Sequence, residues 1–320
     1  MDARAIADRL LDMDPDPIPK LVLLKEFKGA SPGSAEYQNA YDRVCGHPFV
    51  KRLEDSQNGK GFWPSFHGET ESAIRRLLSY GLEKNHICLK RASEYTIRLL
   101  HNEEVSDRSE KQDNIRWWPE MFLPLVCAAT LSLTDGGNGN LAPHRKRWAA
   151  FAENAFAAGG YDREGDGRAQ NEYFGFKTKC VIPPFNYYNL LLLAPRGGES
   201  YISDDTDQAL IDYCLNEADG LGYVYNKTPG ALVKIGAQNR DSRDFCHWIR
   251  ALSIVSQFRG WAKYERKYAD WIWDQRNADG LWEFPKKFDH FALSNSWRGR
   301  NGAIDSTIFM LRFLLKKQAY

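Results

Sequence analysis

Two segments near opposite ends of this 320-residue chain share one plan. Gln57-Asn58-Gly59-Lys60-Gly61-Phe62-Trp63 and Gln275-Arg276-Asn277-Ala278-Asp279-Gly280-Leu281-Trp282 both read as a helix ending in Gln, a turn on Gly and a Trp that closes the turn. The second carries one extra residue. A weaker third copy runs Asn216-Glu217-Ala218-Asp219-Gly220-Leu221-Gly222-Tyr223. Gly permits the positive φ that ends a helix, and the aromatic covers the exposed end of the neighbouring hairpin. Each copy leads through a turn into another helix, as a ring of helical hairpins requires.

Helical periodicity fills the chain between these turns. Ala73, Leu77, Leu78 and Leu82 recur at helical spacing before a stop over 81–85, and Ala92, Tyr95, Thr96 and Leu99 follow in the next segment. The pattern returns in 122–133, 148–156, 209–215, 245–255, 264–273 and 304–315, giving about a dozen helices. Strand-like alternation is confined to 181–182 and 223–225. Gly136, Gly137, Asn138 and Gly139 make 134–143 a flexible loop within one domain, so a single domain over 1–320 is expected.

Charge and cysteine usage narrow the partners. The 43 basic residues nearly cancel the 42 acidic ones, leaving no broad footprint for nucleic acid or an anionic membrane. No stretch is long enough to span a bilayer, and the first eleven residues lack the apolar run of a secretory signal. Cys45, Cys88, Cys127, Cys180, Cys214 and Cys246 are far apart, without a CxxC pair, and read as reduced thiols of a cytoplasmic protein. Aromatics make up 13% of the chain; they suit a core and also the lining of a deep pocket.

The segment 57–63 fits the QxxxGxW repeat of squalene and terpenoid cyclases without a gap, and 275–282 fits it with one extra residue. His47-Pro48-Phe49-Val50-Lys51-Arg52-Leu53 before the first repeat, and Asp305-Ser306-Thr307-Ile308-Phe309-Met310-Leu311 near the end, are similar to the same proteins. The chain thus resembles the terpenoid-cyclase and protein-prenyltransferase superfamily over about residues 17–317, in particular single-barrel bacterial proteins with such repeats. The resemblance implies an all-α fold, an α/α toroid of about six helical hairpins around a central cavity. It also implies an enzyme of the cyclase, lyase, isomerase or transferase type that takes an isoprenoid-like or other apolar small molecule. A partner protein is neither implied nor excluded, and fold alone does not fix function.

The DxDD motif with which class II terpenoid cyclases protonate an alkene is absent. The nearest cluster, Asp204-Asp205-Thr206-Asp207, has another order and sits where acidic residues cap a helix. The segment Arg243-Asp244-Phe245-Cys246-His247-Trp248 is the principal catalytic candidate. Asp244 and His247, three residues apart, share a helix face and can form an acid/base pair without a cofactor. The prenyltransferase resemblance implies a zinc alternative on Asp244, Cys246 and His290, a donor set that suits that ion. His67, after the first repeat turn, is a further acid/base candidate. Trp63, Trp117, Trp118, Tyr173, Tyr187, Tyr188, Trp248, Trp282 and Trp297 are candidates for gripping substrate, with packing as the plainer reading of each. Two other functions fit the same residues: a carbohydrate-active α/α-toroid lyase or hydrolase, and a ligand-binding scaffold without turnover.

Overall fold

Fourteen α-helices and no β-strand occur among the described residues of the computed structural model. These residues are 3–64, 66–103, 116–178, 180–195, 198–217, 220, 243–284, 292–294 and 299–316, with the backbone alone for 66, 67 and 243–247. In chain order the helices are α1 (Ala3–Asp12), α2 (Pro17–Val22), α3 (Ala35–Cys45), α4 (Pro48–Ser56), α5 (Glu71–Ser79), α6 (Ile87–Leu100) and α7 (Leu123–Thr134). There follow α8 (Ala142–Ala155), α9 (Arg163–Phe174), α10 (Tyr187–Leu193), α11 (Asp204–Asn216), α12 (Arg243–Val255), α13 (Glu265–Asp274) and α14 (Arg300–Leu314).

Local chemistry sets many of the starts. Ser34, Asp162, Asn186 and Ser203 precede α3, α9, α10 and α11, and each side chain accepts a backbone N–H of the first turn. The acidic run Asp204, Asp205 and Asp207 falls in the first turn of α11, where carboxylates suit the helix dipole. Asp207 is buried and accepts from the backbone N–H groups of Gly260 (2.7 Å) and Arg259 (3.2 Å), so it fastens the turn before α13.

Burial separates two kinds of helix. In α7 every residue but Pro124 is buried, and all seven of α10 are, as expected of helices enclosed on all sides. By contrast α4 buries only Val50, and α13 only Tyr268 and Ile272. Helices α7 and α10 belong to a series that touches in succession: α5 packs on α7, α7 on α10, α10 on α12, α12 on α14 and α14 on α2. Arg312 of α14 joins the ends of this series. Its guanidinium meets the Glu26 carboxylate at 2.7 and 2.8 Å, just past α2, and donates to the carbonyl of Ser79 at the end of α5.

Two expectations are changed, and another falls outside the described residues. Residues 181–182 form no strand, because the backbone N–H and carbonyl of Ile182 are taken by the side-chain amide of Gln170 (3.1 and 2.9 Å). The strand expected at 223–225 lies outside the described residues, as does most of the third repeat copy. The extra residue in the second repeat is not an insertion in the turn. Asn58 Oδ1 accepts from the N–H groups of Lys60, Gly61 and Phe62, and Asn277 Oδ1 accepts from those of Asp279 and Leu281. Asn277 therefore stands where Asn58 does, and Arg276 takes the place of Gln57. Gly61 and Gly280 both have positive φ, +100° and +69°.

Cys45, Cys88, Cys127, Cys180 and Cys214 are free thiols. Among the described residues no helix is long and apolar enough to cross a membrane.

Candidate functional site

Glu71 opens α5, and its neighbours at helical spacing, Ile74 and Leu78, face the core. The carboxylate is carried inward with them and is only 2% exposed, as is Arg75, one turn later, at 7%. The two form an ion pair at 2.7 Å. Tyr188 donates its hydroxyl to the other Glu71 oxygen at 2.8 Å, and Arg75 donates to the Tyr187 hydroxyl at 3.0 Å. Both tyrosines open α10, whose start is fixed by Asn186.

Two more helices reach this cluster. The guanidinium of Arg250, in the second turn of α12, lies 5.4 Å from the centre of the Tyr187 ring. That of Arg75 lies 5.7 Å from the same ring. Phe122, at the end of the π-helical turn Trp117–Phe122 that leads into α7, meets Tyr188 edge-on at 5.7 Å. Trp118 packs on Phe122. Helices α5, α10 and α12 and the turn before α7 thus bring together two cations, one anion, two phenols and aromatic rings.

The other buried carboxylates differ in kind. Asp305 is pushed up to about 6 by burial although Leu293 N, Ser294 N and Ser294 Oγ all donate to it. Asp166, also pushed up to about 6 by burial, is held by Gln170 and Tyr161. Each of these ties a loop or a neighbouring turn in place. Glu71 instead joins side chains from separate helices. Replacing a buried ion pair by apolar residues of similar volume is often neutral or stabilising, so stability alone does not call for a charged pair at this place.

No family model, curated protein or solved structure matches the chain.

Of the residues singled out from sequence, Tyr187, Tyr188 and Trp118 stand in or beside this cluster. Trp117 is half-buried, stacks on Phe122 at 5.0 Å and gives its indole N–H to the Cys180 carbonyl. Trp248 is buried against Trp271 and Tyr268, between α12 and α13. Trp63 and Trp282 are buried within their repeat turns. Tyr173 is 56% exposed, where its hydroxyl accepts from Arg147, so it does not line an enclosed cavity. The side chains of Asp244, Cys246, His247 and His67, and the whole of His290 and Trp297, lie outside the described residues. The zinc set implied by the prenyltransferase resemblance falls among them.

Sequence reasoning passed over Glu71, Arg75 and Arg250. A signal existed: Glu71 and Arg75 are four apart and interleave with Ile74 and Leu78, so two opposite charges share the apolar face of one helix.

Proposed function

We propose that α2, α5, α7, α10, α12 and α14 form the inner wall of an α/α toroid. At one end of that wall, the cluster of Glu71, Arg75, Tyr187, Tyr188 and Arg250 binds a small molecule with an apolar body and an anionic end. The protein acts on this molecule by acid/base chemistry. The succession of contacts from α5 to α14 and α2, and the matched turns before α5 and α14, support the toroid. The observation that carries the functional reading is the buried Glu71–Arg75 pair clamped by two tyrosines from another helix.

Each residue has a role in this reading. Arg250 and Arg75 supply positive charge for the anionic end, and their planar guanidinium groups suit phosphate or carboxylate. Phe122 and Trp118 supply apolar wall. Tyr188, with its hydroxyl proton already directed at the Glu71 carboxylate, is the described group best placed to pass a proton. Positions 244 and 247 precede Arg250 by six and three residues in α12, so the acid/base pair expected there lies on the same helix within two turns of it.

A thermal-shift series with isoprenoid diphosphates and the alcohols of equal chain length tests the reading. A ligand at a hundred times its Kd stabilises by about 2.7 kcal/mol, which raises Tm by several degrees in a domain of this kind. The diphosphates should do this in the wild type and not in Arg250→Ala, while the alcohols have little effect. Equal responses of the two proteins, or none to any apolar anion, would overturn it.

A further inference from the structure

Away from that cluster, α4 and the start of α6 bring three side chains of different chemistry together. Glu54 comes from the last turn of α4, His86 precedes α6 directly, and Cys88 lies in the first turn of α6. One carboxylate oxygen, one imidazole nitrogen and the thiol sulfur all lie within 4.8 Å of one another. Glu54 Oε1 is 3.3 Å from His86 Nε2. His86 is 8% exposed and Cys88 3%, so the group is largely shielded from solvent.

Hydrogen bonding leaves this histidine incompletely used. His47 and His86 hold the same position, directly before a helix. His47 turns Nδ1 to the N–H of Phe49 (3.2 Å) and caps α4 with it. His86 makes no such cap, and its Nδ1 is buried without a hydrogen-bond partner. With Nε2 beside Glu54, neither tautomer satisfies both nitrogens, and a buried polar atom left unpaired costs about 1–3 kcal/mol. Close by, Gln57 donates to the Cys88 carbonyl at 3.0 Å, yet its own Oε1 is buried and unpartnered. Cys45, at the end of α3, lies within electrostatic reach of Glu54.

We infer that Glu54, His86 and Cys88 form a binding site for a zinc-class divalent cation. Imidazole, thiolate and carboxylate are the donors zinc prefers, and ligands at its bond lengths of about 2.0–2.3 Å must stand within a few ångströms of one another. Binding exchanges the Cys88 S–H bond for a sulfur–metal bond and releases that proton to solvent, with no change of oxidation state. Lys51 holds Glu54 Oε2 at 2.6 Å, leaving Oε1 for the cation. The ion would tie α4 to α6 across the first repeat turn. The inference is independent of the function proposed above, since none of its residues belongs to that cluster.

Cobalt(II) added to the reduced, metal-stripped full chain should produce a thiolate-to-cobalt charge-transfer band and intense tetrahedral d–d bands, and zinc should abolish both. Cys88→Ser should remove the charge-transfer band, and Glu54→Gln should weaken binding at least about tenfold. Cys214→Ser and Cys246→Ser should leave the spectrum unchanged. Absence of the band in the wild type overturns the inference, as does its survival in Cys88→Ser or its loss in Cys246→Ser alone. Should Cys88→Ser not fold, zinc-edge X-ray absorption of Cys246→Ser decides instead, since that variant lacks the thiol of the Asp244, Cys246 and His290 set. One sulfur among nitrogen and oxygen ligands supports the site, and a shell without sulfur overturns it.

Discussion

Trp63 and Trp282 make the same three hydrogen bonds although 219 residues separate them. Each indole N–H donates to the carbonyl ten residues earlier, Leu53 at 3.0 Å and Ile272 at 2.8 Å. Each backbone N–H donates to a threonine hydroxyl, Thr70 at 3.0 Å and Thr307 at 3.1 Å. Each of those hydroxyls donates back to the same tryptophan's carbonyl at 3.3 Å. The threonine lies at the start of α5 in one case and within α14 in the other, so the unit of equivalence is a helix, the turn that follows it and the helix that supplies the threonine.

The threonines are therefore structural acceptors. Thr307→Val keeps the volume and removes the hydroxyl, leaving a buried N–H and a buried carbonyl without it. A loss of about 1–3 kcal/mol is expected by urea denaturation, and Thr70→Val should lose a similar amount.

Gly61 and Gly59 should respond in opposite ways to alanine. A Cβ on Gly61 would lie 2.5 Å from the Arg91 carbonyl oxygen, at a φ of +100°, while one on Gly59 meets nothing within 4 Å. Gly61→Ala should cost more than about 2 kcal/mol, and Gly59→Ala should stay within about 0.5 kcal/mol of wild type. Chemical denaturation of both variants checks this.

The Glu71–Arg75 pair offers a way to separate stability from function. Glu71→Ala leaves a buried guanidinium without its carboxylate and should cost about 3–5 kcal/mol. The double variant Glu71→Leu, Arg75→Met should recover most of that stability, since apolar replacements of whole buried pairs are commonly tolerated. It should nevertheless lose the thermal response to apolar anions. A double variant that keeps the response would show the pair to be a packing device only.

Asp305 gives a pH signature with a definite sign. Burial raises its folded pKa to about 6 against an unfolded value of about 3.9, so the folded state holds the extra proton between those values. Its contribution to stability is full below pH 4 and is lost as the pH rises through 6. The stability advantage of wild type over Asp305→Asn should therefore shrink from pH 4 to pH 7. Urea titrations of both proteins at each pH measure the slope, and an advantage that grows over this range would contradict the assignment.

What the sequence determined by itself is local and periodic. Apolar spacing places the helices, and Ser203 with its acidic neighbours opens α11 as capping chemistry requires. The Gly-Trp turns at 57–63 and 275–282 mark equivalent helix ends, because positive φ and a covering aromatic are demands a short segment states alone. Even there one letter misleads. Gln57 and Gln275 look equivalent as letters, whereas the hydrogen bonds of Asn58 and Asn277 show that Arg276 occupies the place of Gln57. Tertiary structure alone decided which polar residues meet. Glu71 and Tyr188 are 117 residues apart, and no spacing rule joins them until α5 and α10 pack on α7. Glu54, His86 and Cys88 likewise become neighbours only when α4 and α6 are brought together around the first turn. Convergence of side chains from separate helices depends on how those helices pack, and a pattern read along one helix carries no information about the residues it will face.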